Sequence, residues 1–273
     1  MRKDPSVIDG KPFVLEGTSM LEARDLSMSF PPAGAEGKAV AAVSHIGFRV
    51  EGGELVVLAG RNGSGKTVLC RLLAGLLSPT GGEIRYGGIP LESLPGSPAR
   101  HVGYAFQEAR LQAIGERVLD DCMFGPMNVG MGRREAEERA MDALRRCGLE
   151  EKRGTFVHAL SGGELRRLSI AGILALDPGV VVLDEPFANL DLDGIRATLR
   201  VLLALRDGGK GIVVATHEIE KVLAFADRLV ILDQGVVREE GLPAEVLGRN
   251  LEGYGIRNPL RGGARLAELS WLD

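Results

Sequence analysis

Leu55-Val56-Val57-Leu58-Ala59-Gly60-Arg61-Asn62-Gly63-Ser64-Gly65-Lys66-Thr67-Val68-Leu69 is the stretch on which the fold turns. Its first five residues are a continuous apolar run, the pattern of a parallel strand buried on both faces. The eight residues from Gly60 to Thr67 satisfy G-x-x-x-x-G-K-[ST], with a strand before and a helix after, as that phosphate-binding motif requires. The glycines let main-chain N–H groups curl around phosphate oxygens, and the helix N-terminus adds its positive dipole end. Lys66 is placed to neutralise the outer phosphates and the Thr67 hydroxyl to ligate Mg²⁺. Gly60, Arg61, Asn62, Gly63, Ser64, Gly65, Lys66, Thr67 and Val68 are therefore expected to hold a nucleoside triphosphate.

Outward from this loop, strands and helices alternate. Leu69, Leu72, Leu73 and Leu76 share one face of the following helix. Upstream, Leu21–Phe30 and Val40–Val50 read as strands, with Ile46, Phe48 and Val50 alternating onto one face and Pro31-Pro32-Ala33-Gly34 forcing a turn between them. Downstream come a strand at Val102–Phe106 and an amphipathic helix at Arg133–Cys147 with Ala136, Ala140, Ala143, Leu144 and Cys147 inward. A helix after Ser161 carries Leu165, Leu168 and Leu176, and strands follow at Val180–Leu183, Ile212–Ala215 and Arg228–Leu232. Such alternation implies an α/β domain whose mainly parallel sheet is covered on both faces. Residues 1–19, with Pro5, Gly10, Pro12 and Gly17 and no apolar periodicity, read as a loose extension.

Composition narrows the function. The 273 residues are 45% hydrophobic and 26% charged, which excludes a disordered chain. Lysine plus arginine number 33 against 37 acids, a net charge of −4, so general affinity for nucleic acid is not expected. Apolar runs are of strand length, well below the roughly 20 residues a membrane helix needs. The first residues lack the apolar core of a secretory signal, and Cys70, Cys122 and Cys147 lie far apart without a CxxC pair. The expectation is a reduced, cytosolic chain that reaches a membrane only by docking to another protein. His45, His101 and His158 have no ligand-spaced neighbour and read as packing or surface residues.

Two further segments carry chemistry. Val180-Val181-Val182-Leu183-Asp184-Glu185 is a buried strand ending in adjacent acids, whose side chains point to opposite faces and so take different tasks. Asp184 suits the Mg²⁺ shell and Glu185 suits polarising an attacking water. Leu160-Ser161-Gly162-Gly163-Glu164 opens a helix; Ser161 and Glu164 fit a capping box, yet two glycines there cost helix propensity. That cost makes sense where main-chain N–H groups must be left bare for an anion.

With the phosphate loop at Gly60–Thr67, Leu160–Glu164 and the strand Val180–Glu185 in that order along the chain, residues 20–247 resemble the ATP-binding cassette (ABC) ATPases. The resemblance implies a P-loop fold with a RecA-like sheet, an N-terminal antiparallel β subdomain and an inserted helical subdomain at about 108–175. It implies ATP and Mg²⁺ as ligands. In such proteins the signature helix of one subunit completes the nucleotide site of another, so Ser161, Gly162, Gly163 and Glu164 would face the phosphate loop of a second cassette. By the same resemblance Gln107 touches Mg²⁺ and water, His217 contacts the γ-phosphate, Asp191 links the two subunits and Phe30 stacks on adenine.

Val118-Leu119-Asp120-Asp121-Cys122-Met123-Phe124-Gly125-Pro126-Met127-Asn128-Val129-Gly130 looks like the energy-coupling-factor branch, which imports vitamins or transition-metal ions. Gly241-x-Pro243-x-Glu245-Val246 fits as well, followed by a short C-terminal extension, 248–273, that is a candidate for dimer formation. The likeness implies an ATPase subunit peripheral to the cytoplasmic face of the cell membrane. It would be paired with a second ATPase subunit, identical or different, and bound to a transmembrane coupling protein and a substrate-binding membrane subunit. Departures are Glu164 for Gln, Phe187 for Thr, Glu218 for Asp, and Glu108-Ala109-Arg110-Leu111-Gln112 where N-P-x-x-Q is usual. A soluble cassette serving as a scaffold in DNA maintenance, translation or iron–sulfur assembly is the rival reading. A P-loop kinase is a poorer one, since it leaves Ser161–Gly163 and His217 without a task.

Overall fold

The computed structural model of the chain describes residues 7–8, 11–12, 20–31, 39–260 and 265–272. The extension expected at 1–19 lies outside the described residues except for β1 (Val7–Ile8) and β2 (Lys11–Pro12), which pair antiparallel. Residues 32–34 of the expected turn also lie outside them.

β3 (Leu21–Phe30) and β4 (Val40–Val50) pair antiparallel, and with β6 (Gly81–Tyr86) and β7 (Ile89–Pro90) they form a four-stranded sheet of order β4-β3-β6-β7. The second sheet holds β5 (Leu55–Ala59), β8 (Val102–Ala105), β9 (Val180–Asp184), β10 (Gly211–Thr216), β11 (Arg228–Asp233) and β12 (Val236–Gly241). Its order is β12-β11-β5-β10-β9-β8, parallel throughout except for the antiparallel hairpin of β11 with β12.

Because strand side chains alternate with period two, each central strand feeds two cores. Leu55, Val57, Val181, Leu183, Ile212, Val214, Leu229 and Ile231 join one cluster. That cluster includes α3 (Val118–Asn128), α4 (Arg133–Arg146), α5 (Gly162–Leu174), α6 (Leu192–Asp207) and α7 (Pro243–Leu247). Val56, Leu58, Val180, Val182, Val213, Ala215, Val230 and Leu232 join the other, with α1 (Lys66–Leu73) and the antiparallel sheet. Each fully buried Leu or Val side chain contributes roughly 1.5–3 kcal/mol. The continuous apolar runs therefore follow from having a layer on both faces. The helices between β8 and β9, from α2 (Ala109–Gln112) to α5, form an inserted layer.

Some boundaries differ from expectation. Leu69, Leu72 and Leu73 are buried on α1, but Leu76 lies past the helix end and is exposed, because Gly75 at φ +67° turns the chain. Leu176 likewise lies beyond α5, while Leu165 and Leu168 are buried on it. The strand expected to reach Phe106 stops at Ala105.

Register places the site. Ala59 on β5 is level with Thr216 on β10, Ala215 with Asp184 on β9, and Leu183 with Ala105 on β8. The carboxyl ends of four neighbouring parallel strands thus deliver Gly60, His217, Glu185 and Gln107 to one edge of the sheet, the usual ligand edge of such sheets.

Candidate functional site

The loop from Gly60 to Gly65 is shaped by two close approaches. A Cβ on Gly60 would sit 2.2 Å from the Leu232 carbonyl oxygen. Gly65, at φ +103°, would bring one within 2.5 Å of the Ala42 carbonyl oxygen. Gly65 is also the N-cap of α1 and offers no side chain to it, so the first N–H groups of that helix remain available to an anion. The turn between β11 and β12 braces the loop: Gly235 N–H donates to Ser64 O at 2.9 Å, and Ser44 N–H donates to Gly235 O at 2.8 Å.

These elements wall a cleft of about 560 Å³ lined by Val40, Ala41, Ala42, Asn62 to Val68, Gln107, Glu185, Gln234 and Gly235. Lys66 is buried, and its ammonium donates to Gly60 O at 2.6 Å and Arg61 O at 3.2 Å. Burial pushes the lysine below its ordinary value, and the charges of Glu185 and Asp184 oppose that shift.

The adjacent acids diverge as strand geometry requires. Asp184 turns toward α1: Oδ2 accepts from the Tyr104 hydroxyl at 3.1 Å, and Oδ1 is buried without a protein hydrogen bond. Burial pushes this carboxyl up, and the neighbouring Thr67 and Tyr104 hydroxyls pull it back. Glu185 lies just past the strand in the left-handed region, φ +48°, a costly conformation for a residue with a Cβ and one often found at functional sites. Its Oε2 accepts from Thr216 Oγ1 at 2.9 Å, and its Oε1 meets His217 Nδ1 at 2.8 Å and the His217 N–H at 3.1 Å. Glu218 carries another carboxylate beside this pair, matched to the Lys221 ammonium at 2.5 Å.

Other expected residues sit in differing relations to the cleft. Arg61 contributes its carbonyl, while its guanidinium leans on Asp233 Oδ1 at 3.3 Å, away from the lining. Phe30 is partly exposed at the end of β3, level with the cleft residue Val40. Asp191 caps α6, its Oδ1 accepting from Gly194 N–H at 2.8 Å.

Ser161, Gly162, Gly163 and Glu164 do not line the cleft. Ser161 and Glu164 form the capping box of α5, and Glu164 also pairs with Lys152. Ser161 and Gly162 are exposed. One chain thus presents a phosphate cradle and, elsewhere on its surface, a glycine-opened helix N-terminus.

Sequence reasoning did not single out Tyr104, Thr216, Arg166, Gln234 or the Val40–Ala42 wall. Strand alternation puts Tyr104 and Asp184 on the α1 side, but their adjacency depends on β8 pairing with β9, which no local pattern announces. The remaining histidines make local contacts: His45 with Asp25 at 2.7 Å, His101 against the Tyr86 ring and His158 stacked on Phe156. Cys70, Cys122 and Cys147 are free and buried, and burial pushes the Cys70 thiol well up.

The sequence model of the ABC transporter family matches residues 43–188, from β4 to the residues after Glu185. The energy-coupling factor transporter ATP-binding protein EcfA of Methanocaldococcus jannaschii is 37% identical over 230 residues, spanning 83% of this chain and 80% of that protein. CbiO1 from Clostridium perfringens, part of the ABC transporter complex cbiONQ, superposes with a TM-score of 0.73 at 29% identity, covering 85% of this chain and 91% of that one. The ATP-binding cassette MJ0796, in a dimeric post-hydrolysis state with ADP and Pi, gives a TM-score of 0.72 at 25% identity, covering 82% and 99%. By the family match and the extent of these likenesses, the chain belongs to the ABC transporter family as one of its ATPase cassettes.

Proposed function

We propose that this chain is the ATP-hydrolysing subunit of an energy-coupling-factor importer, working as one of two cassettes that share their nucleotide sites. The observation that carries this reading is the separation of two anion sites on one surface. Lys66, Glu185 and Gln107 meet in the cleft, whereas Ser161–Gly163 stand outside it, Ser161 and Gly162 exposed and Ser161 bonded only within the capping box of its own helix among the described residues. Closure against a second cassette would set that glycine-opened helix on the phosphates held by the first.

Within the site, Lys66 and the loop N–H groups hold the outer phosphates, and Glu185 Oε1 orients and polarises water in line with the γ-phosphate. His217, hydrogen-bonded to that same oxygen, contacts the γ-phosphate from the β10 side. The donor set fits Mg²⁺: Asp184 Oδ1 is a buried carboxylate oxygen without a protein partner, beside the Thr67 hydroxyl, and both are hard oxygen ligands. Thr67, Asp184 and Gln107 would hold the ion. When bound it neutralises phosphate charge and polarises the γ-phosphoryl group.

Among the described residues no helix is long and apolar enough to cross a membrane. The Gln107–Gly130 segment supports docking to a transmembrane coupling protein at the cytoplasmic face of the membrane. It exposes Leu111, Ile114, Phe124 and Met127. It also flanks a groove of about 380 Å³ bounded by Leu76, Phe106, Ile114, Phe124, Leu168 and Leu176. The cargo class, a vitamin or a transition-metal ion, follows from the likeness to that branch, whose members include the EcfA relative.

Replacing Glu185 by Gln tests the reading. ATP binding is expected to persist, hydrolysis to fall by orders of magnitude, and an ATP-bound dimer to accumulate in light scattering. Unchanged turnover would remove Glu185 from its task.

A further inference from the structure

Arg166 stands on α5 one turn inside Ser161–Gly163, and only 3% of it is exposed. Its guanidinium donates through Nη1 to Phe106 O at 2.6 Å, and through Nη2 to Gln107 O and, at 3.4 Å, to Glu185 O. Among the described residues no carboxylate forms an ion pair with it. Burial works against its charge, and Asp184 supports that charge from further off. A buried cation satisfied by main-chain carbonyls from two separate segments is an expensive arrangement, and such arrangements persist where position matters.

The geometry explains why arginine is used. Its planar fork presents five N–H donors at fixed angles, so one side chain can fasten several acceptors at once; a lysine ammonium cannot reproduce that plane. Beside Phe106 O, the acceptors are the carbonyls of Gln107 and, at 3.4 Å, Glu185, the two residues expected around the attacking water. Glu185 also holds a left-handed φ of +48°, a conformation that needs outside support. Gln112, at the end of α2, adds a second tie to the same helix, donating to Ser169 O at 3.3 Å and accepting from Phe106 N–H at 3.2 Å.

We propose that Arg166 is a positioning residue that fastens the Gln107 and Glu185 backbones to the signature helix. Engagement of Ser161–Gly163 by a second cassette's nucleotide is thereby transmitted to the water-orienting groups of Arg166's own chain. The inference rests on the tasks given above to Gln107 and Glu185. It makes Arg166 the mechanical link between the site a chain completes and the site it owns.

The test is steady-state kinetics of Arg166→Lys and Arg166→Gln in the assembled ATPase pair, alone and combined with Gln107→Ala. Turnover is expected to fall by on the order of 10²-fold, because misplacement by about 1 Å costs that much. The KM for ATP should stay within about threefold, since the phosphate cradle is untouched. The double variant with Gln107→Ala should be no slower than the slower single variant, because both changes act through one unit. A purely structural role would instead lower the unfolding midpoint and leave kcat of the folded fraction intact, or would multiply the two losses; either result overturns the proposal. Should Arg166→Gln fold poorly, Arg166→Lys, which keeps the charge, is read by the same criteria. Normal turnover in Glu185→Gln would instead sink the underlying assignment, so the two failures are distinguishable.

Discussion

At Asp184 one carboxylate oxygen accepts from Tyr104 at 3.1 Å while the other is buried without a protein hydrogen bond. The hydroxyl therefore decides which oxygen is left for a cation. Tyr104→Phe removes that donor with little change of shape, and the expected outcome is weaker divalent-ion binding by about tenfold. That loss follows the usual cost of losing a partner that orients a metal ligand, and Mn²⁺ titration of the nucleotide-loaded protein by paramagnetic resonance measures it. Lys66 gives a pH test. Its folded-state value lies below the ordinary 10.5 because of burial, and phosphate anions favour the charged form. Above the lowered value, and up to the higher value that bound phosphates impose, nucleotide binding should take up a proton, and affinity should fall as pH rises through the lowered value. Calorimetry in buffers of different ionisation enthalpy reads this uptake, and an enthalpy independent of buffer in that window contradicts it. At this scale a motif's spacing pointed to Gly60–Thr67, Asp184 and Glu185, which the structure gathers at one end of the sheet, while Gln107 and His217 followed only from the family resemblance. The sequence was silent on Tyr104 and Arg166, whose partners are 80 and 60 residues away and meet them only through sheet pairing and helix packing.

Phe187 is an element-scale residue. It follows Glu185 by two positions, where the family resemblance leads one to expect Thr, and it is among the largest fully buried side chains. It joins the cluster that packs α5 and α6 beneath the sheet, so the departure exchanges a polar side chain for core volume. Phe187→Ala should cost about 3–5 kcal/mol of stability, the range for truncating a buried aromatic, measured by urea unfolding; a loss below about 1 kcal/mol would deny it a packing role. In the same cluster, Ile195, Leu199, Leu202 and Leu205 recur at helical spacing along α6, Leu192–Asp207, a helix not among the elements expected from the sequence. β6, β7 and β12 were not expected either. They are short and carry exposed or glycine-rich stretches, such as Gly81-Gly82-Glu83 and Arg238-Glu239-Glu240, so apolar alternation is weak and pairing with a neighbouring strand defines them.

For the whole molecule, the parallel strand order brings four motifs to one edge and leaves the fifth, at Ser161–Gly163, on another part of the surface. The alternating α/β arrangement was legible because doubly covered strands must be apolar throughout, as Leu55–Ala59, Val180–Leu183 and Ile212–Ala215 are. Strand order was not, since nothing local states that β10 lies between β5 and β9. Under the proposed function, catalysis needs two cassettes, each holding nucleotide on its own loop and covering the other's. The most direct test is the ATPase rate per chain across a dilution series, with dimer content followed in parallel by light scattering and with the second cassette supplied if the pair is mixed. The rate per chain is expected to fall with the dimer fraction and to approach zero in the monomer. A rate per chain that stays constant while the dimer disappears would contradict it.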